Sequence, residues 1–164
     1  MKRKKSFGRT LFTIAIAVAL VAVLLLNLFT QVFSVVQYYG DGMAPSLEDR
    51  QILIVQKTEK VTCNDIIAFY FNNKVLVRRI IAESGSSLDM EENGTVIIDG
   101  NKLEEPYVND PSKGQCNINF PYTVPYEEFF VMGDNRSVAM DSRLSEIGTI
   151  PRNRVIGKVI FSFG

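Results

Sequence analysis

Any chemistry in this chain proceeds without histidine, which is absent from its 164 residues. That removes serine–histidine–aspartate and cysteine–histidine hydrolysis, and histidine-ligated zinc sites as well. Carboxylates, lysines, hydroxyls and thiols remain. Gly133–Arg143, GDNRSVAMDSR, sets Asp134, Arg136, Asp141 and Arg143 among Gly133, Asn135 and Ser142. Such residues make Asx-type turns and charge-assisted hydrogen bonds that shape a groove. Tyr39–Leu47, YGDGMAPSL, follows a long apolar run, where a membrane enzyme would place chemistry. It carries Asp41, Gly42, Met43, Pro45 and Ser46. Between the two stretches lie Arg78 and Arg79, which strand alternation sends to opposite faces, so that one can face a groove. Cys63 and Cys116 are compatible with a disulfide or with two separate thiols. Without further ligands they make no metal site, and no cofactor is expected.

The elements that must position these residues begin with an anchor. Lys2, Arg3, Lys4, Lys5 and Arg9 crowd the first ten residues, and Leu11–Val36 carries no charge. A bilayer core about 30 Å thick needs about 20 apolar helical residues, which Leu11–Thr30 supplies. The basic cluster predicts a cytoplasmic N-terminus and an extracytoplasmic remainder in the cell membrane. The expected division is residues 1–10 as a cytoplasmic basic segment, 11–31 as a transmembrane helix, and 32–164 as an extracytoplasmic β domain. A cleavable signal peptide would have a shorter apolar region of roughly 7–15 residues and an A-x-A-like site. Gln31–Ser34 offers a poor one.

Beyond the anchor the pattern turns to short extended segments. Strands are predicted over 32–39, 51–56, 66–71, 74–81, 96–98, 102–103, 129–132 and 155–161. Asn72–Asn73 and Asp99–Gly100 read as hairpin turns. Residues 104–125, rich in Pro, Asn and Gly, read as a long surface connection. This body holds 13 of the 18 basic residues and all 18 acidic ones, no footprint for nucleic acid.

Four stretches in order resemble the type I signal peptidase family. They are GDGMAPSL (Gly40–Leu47), VRRIIAESGSSLDM (Val77–Met90), IDGNKLEEPYV (Ile98–Val108) and GDNRSVAMDSR (Gly133–Arg143). The resemblance implies a signal-peptidase-like coiled antiparallel β-sheet or barrel domain behind one N-terminal transmembrane helix. It also implies a serine endopeptidase with a Ser-Lys dyad, in which a neutral lysine takes the serine's proton. Carried across, the nucleophile's position is Gly42, the base's is Arg78, and the helper hydroxyl's is Ala139. None of these three can perform its role, since a guanidinium stays protonated. Met43, Pro45, Gly133, Asp134, Asn135, Arg136, Asp141, Ser142 and Arg143 match the framework.

The expected function is therefore a non-enzyme: a membrane-anchored, signal-peptidase-like accessory factor in surface pilus assembly. The resemblance implies a Gram-positive bacterium, with pilin precursors or sortase-type machinery as partners. Asp41, Gly42, Met43, Pro45, Ser46 and Arg78 are its candidate peptide-groove residues, with an extended peptide adding to an open strand edge. The alternative is an active signal peptidase using an unrecognised nucleophile.

Overall fold

A computed structural model describes residues 3–164, with side chains described from Gly8 onward. Lys2, and the side chains of Arg3, Lys4 and Lys5, on which the expected orientation partly rests, lie outside the described residues. The chain divides into two compact units, Met1–Ser34 and Val35–Gly164.

The first unit is built on a 30-residue helix, α1 (Arg3–Val32). It begins well before the expected Leu11, because lysine and arginine are good helix formers and no proline interrupts them. Gly8–Val32 is long and apolar enough to cross a membrane, with mean hydropathy 2.8. At 1.5 Å rise per residue its length of about 38 Å exceeds a bilayer core.

The second unit is mainly antiparallel β. One sheet has the order β1 (Phe33–Gln37), β2 (Ile52–Gln56), β11 (Val155–Phe163), β3 (Ile66–Phe71), β4 (Lys74–Glu83), β9 (Glu128–Met132) and β10 (Ile150–Pro151). A smaller sheet has the order β7 (Asn101–Lys102), β6 (Val96–Ile98), β5 (Ser87–Met90) and β8 (Tyr122–Thr123). Both predicted hairpins form. Asn72 and Asn73 take φ of 45° and 58°, the left-handed pair that a tight hairpin turn requires. Asp99 and Gly100 do the same at 52° and 81°.

Three strands go beyond the sequence reading: β5, β8 and β10. Two of them are two residues long, too short to show a period. Residues 104–125 correct the expected surface connection. β8 lies within them, Val124 is buried, and Ile118, Phe120 and Tyr122 pack on a core of Leu88, Met90, Val96, Phe130 and Met132. Proline and glycine marked irregular backbone correctly, but irregular backbone can still carry apolar side chains inward.

A second core cluster joins Tyr38, Met43 and Leu47 to Leu53, Val55, Ala68 and Val77 of β2, β3 and β4. It anchors the stretch that carries Gly42 to the sheet. β4 has a further consequence for the site. Its first half, Lys74–Arg79, pairs with β3 on one side, whereas pairing with β9 on the other begins only at Arg79. Lys74–Arg78 therefore has one edge without a strand partner among the described residues.

Candidate active site and peptide groove

Gly40–Asp49 is held in place from both ends and from below. Gly40 N–H donates to Asp49 Oδ1 at 2.7 Å, and Leu47 N–H closes a helical turn on the Met43 carbonyl at 2.9 Å. Met43 and Leu47 are buried in the core. The Met43 N–H donates to the Tyr38 hydroxyl oxygen at 3.0 Å. Burial raises the Tyr38 pKa, against the opposing effect of that hydrogen bond. Asp41 is exposed, and its carbonyl accepts the Ala44 N–H at 3.1 Å. Pro45, exposed, follows a cis peptide bond. Ser46 Oγ accepts a hydrogen bond from Arg79 Nη2 at 3.1 Å.

The loop Gly133–Arg143 is built on buried charge. Asp141 and Arg143 are fully buried and paired, with Arg143 Nε and Nη2 donating at 2.8 and 2.7 Å. The second oxygen of Asp141 also accepts the Gly133 N–H at 2.9 Å. Arg143 Nη1 donates to the carbonyls of Lys113 and Arg136, and Arg136 Nε to that of Gly133 at 3.1 Å. Ser142 Oγ accepts the Val131 N–H at 3.0 Å, fastening the loop to β9. Asn135 N–H donates to the Gly42 carbonyl at 3.1 Å, joining the two loops. At their meeting point a side chain on Gly133 would collide with the Gly42 carbonyl and Ala139 Cβ, so glycine is required there by close approach.

Arg79 and Arg78 have opposite surroundings. Arg79 pairs with Asp134 through Nε and Nη2 at 2.8 and 2.5 Å and lies over the Tyr107 ring at 3.9 Å. Arg78 is 8% exposed, yet among the described residues no carboxylate pairs with it. Its Nε donates to the Met140 carbonyl at 3.0 Å and its Nη1 to the Val77 carbonyl at 2.6 Å. Burial lowers its pKa, opposed by the charge of Asp141. A Cβ built on Gly42 would lie 3.3 to 3.5 Å from Nη2, Cζ and Nη1 alike. Near-equal distances to three atoms mean that the guanidinium lies flat against Gly42, in the space a side chain would take.

The structure thus brings Gly42, Arg78 and the Gly133–Arg143 loop together and places buried Ala139 beside Gly133. Serine and neutral-amine chemistry has no carrier at positions 42, 78 and 139. Ser46 is the hydroxyl on the same loop, and the group bonded to it is a guanidinium, a donor and not a base. Two residues had no role in the sequence reading. Glu105 forms a two-pronged ion pair with buried Arg136, and Tyr107 supports Arg79. Both stand in the third motif, which was the available signal.

Two cavities open beside Arg78. One, of about 680 Å³, lies between Val35–Tyr39 and Lys74–Arg78. The other, of about 400 Å³, is lined by Tyr39, Gly42, Leu76, Arg78, Val138 and Met140, among others. Arg78 is common to both. Cys63 and Cys116 are free thiols outside this site, which decides between the two cysteine readings. No cluster able to hold a metal ion occurs among the described residues.

Comparison with known proteins extends the likeness to the whole chain. The family described as "Signal peptidase, peptidase S26" matches residues 9–163. Signal peptidase I P of Bacillus subtilis subsp. natto is 35% identical over 91% of this chain and 85% of its own length. Signal peptidase I S of Bacillus subtilis strain 168 is 32% identical over the same shares. The crystal structure of a signal peptidase I from Enterococcus faecalis V583 superposes with a TM-score of 0.53 at 27% identity. It covers 62% of this chain and 97% of its own. These relatives correct the expectation of a non-enzyme, because proteins 31–35% identical over about nine-tenths of this chain bear the name of an enzyme family. That expectation rested on three side chains, whereas the likeness spans both loops, the sheet and the apolar helix. The chain belongs to the signal peptidase family, peptidase S26.

Proposed function

We propose that this protein acts on exported precursor proteins outside the membrane, as a signal peptidase I-type endopeptidase anchored by α1 with its N-terminus in the cytoplasm. The observation that carries the reading is the unpaired edge of Lys74–Arg78, which faces Val35–Tyr39 across the larger cavity and ends at the Gly42 loop. An extended peptide laid there takes main-chain hydrogen bonds from a free strand edge and buries alternate side chains in the cavity. The basic residues before the apolar run support the orientation. Pilin precursors, with sortase-type machinery downstream, are the cargo that the resemblance favours.

Hydrolysis by this chain draws its attacking group from outside positions 42, 78 and 139. Ser46 is the first hydroxyl to test, since it lies on the same loop with a donor already in contact. Purified full-length protein in detergent micelles, incubated with a labelled precursor, cleaves it at one site, and Ser46→Ala lowers the rate. Absence of turnover by the unmodified chain overturns the endopeptidase reading. Photocrosslinking of the precursor from position 75 tests the groove separately.

A further inference from the structure

Arg78 is a buried cation without a counter-ion among the described residues, and it lines two cavities. Nε and Nη1 have carbonyl partners, while Nη2 has none among the described residues. Every fully buried polar side-chain atom among them has a partner, so the unpaired Nη2 is the part of this guanidinium that keeps some exposure. The nearby buried carboxylates are already engaged, Asp134 by Arg79 and Asp141 by Arg143. Asp41, on the rim of the same cavity, is exposed and forms no ion pair with Arg78. The cavity walls around the guanidinium, Tyr39, Leu76, Val138 and Met140, are largely apolar. A desolvated guanidinium in such walls gains most from a carboxylate, through short charge-assisted hydrogen bonds.

We propose that Arg78, lying flat on the side-chain-free Gly42, is a receptor for a peptide carboxylate, with the adjoining apolar side chain held by Leu76, Val138 and Met140. The inference rests on the groove reading above and names the class of peptide end that the groove retains. The carboxylate has two possible sources, a free chain terminus or an aspartate or glutamate side chain. Hydrolysis of a precursor peptide bond produces a free terminus, with water supplying its oxygen and the amine leaving on the other fragment. Gly42 is what permits the site. A Cβ there would already touch the guanidinium at 3.3 to 3.5 Å and make it yield by a few tenths of an ångström, and a branched residue would press further into the same space.

The test uses full-length protein in micelles and one short fluorescent peptide in three forms: C-terminal acid, C-terminal amide, and amide with glutamate as the penultimate residue. Fluorescence anisotropy should show the acid binding about tenfold or more tighter than the plain amide, the scale of a charged hydrogen bond. Arg78→Gln should abolish that difference, and Gly42→Val should do so independently if the first variant folds poorly. A glutamate amide that matches the acid supports the receptor and assigns it to side chains. Equal binding of acid and plain amide by the unmodified chain overturns the inference and leaves the groove reading standing. Binding of none of the peptides, with the precursor still crosslinked from position 75, also overturns the inference alone. Loss of crosslinking too removes the groove reading.

Discussion

At the scale of single residues, the site is defined by the Arg78 guanidinium lying against Gly42. Gly42→Ser alone crowds Arg78, because the new Cβ would sit 3.3 Å from its guanidinium. The combined change Gly42→Ser, Arg78→Lys and Ala139→Ser removes that crowding and supplies a shorter amine in the same buried surroundings. Precursor cleavage by the triple variant should exceed that of the parent by about 100-fold or more, the usual contribution of a placed general base. Gly42→Ser by itself should give no such gain, and gel analysis of cleaved precursor checks both. Cys63 provides a second prediction. Although surface-exposed, its thiol is raised to about 11, first by desolvation and then by the neighbouring Glu83 carboxylate. In a Cys116→Ser background, the rate of iodoacetamide alkylation should have its midpoint well above the ordinary thiol value of about 8.5, and Glu83→Gln should lower it. The raised value means the folded state holds this proton more tightly. Its contribution to stability is complete below the ordinary thiol value and is lost as pH rises toward 11.

At the scale of elements, buried charge and close backbone approach set the stiffness of the site. Asp141 and Arg143 are fully buried partners. Asp141→Asn strands the arginine and removes an acceptor from the Gly133 N–H, so it should cost about 3–5 kcal/mol in urea unfolding of the second unit. In the sheet, β11 bulges between Val155 and Gly157 within its pairing to β3, and a Cβ on Gly157 would strike the Gln56 backbone. Gly157→Ala should cost about 1–3 kcal/mol by overpacking, read from the same unfolding curves. These elements were unevenly legible in sequence. The Asn72–Asn73 hairpin announced itself, since two asparagines between alternating apolar runs have one common use. β8 and β10 did not, because two residues have no period and their pairing comes from strands distant in sequence.

At the scale of the whole molecule, the two units have separate physical bases. Val35–Gly164 contains both clusters described above and a third made of Ile67, Phe69, Ile80, Phe129 and Val131, all apart from the apolar helix. A chain beginning at Val35 should therefore remain folded by circular dichroism and lose membrane association, while the full chain resists extraction by alkaline carbonate. An extracytoplasmic second unit also predicts that Tyr126→Cys, at a residue 86% exposed, reacts with a membrane-impermeant maleimide in intact cells.

The sequence by itself determined the apolar helix, the mainly β body and the family. Long uncharged runs, paired turn residues and ordered motifs are local or linear properties that survive without coordinates. It also placed Gly42, Arg78 and Ala139 at one site through the resemblance. Only the tertiary structure decided how they relate: the guanidinium lies flat on Gly42, Ala139 packs beside Gly133, and Arg78 lacks the carboxylate that Arg79 has. The reason is that β4 carries two adjacent arginines with the same chemistry, and the groups that tell them apart, Asp134 for Arg79 and the Met140 carbonyl for Arg78, lie on a loop more than fifty residues away. Which arginine is neutralised, and which is left facing a cavity, is a property of packing.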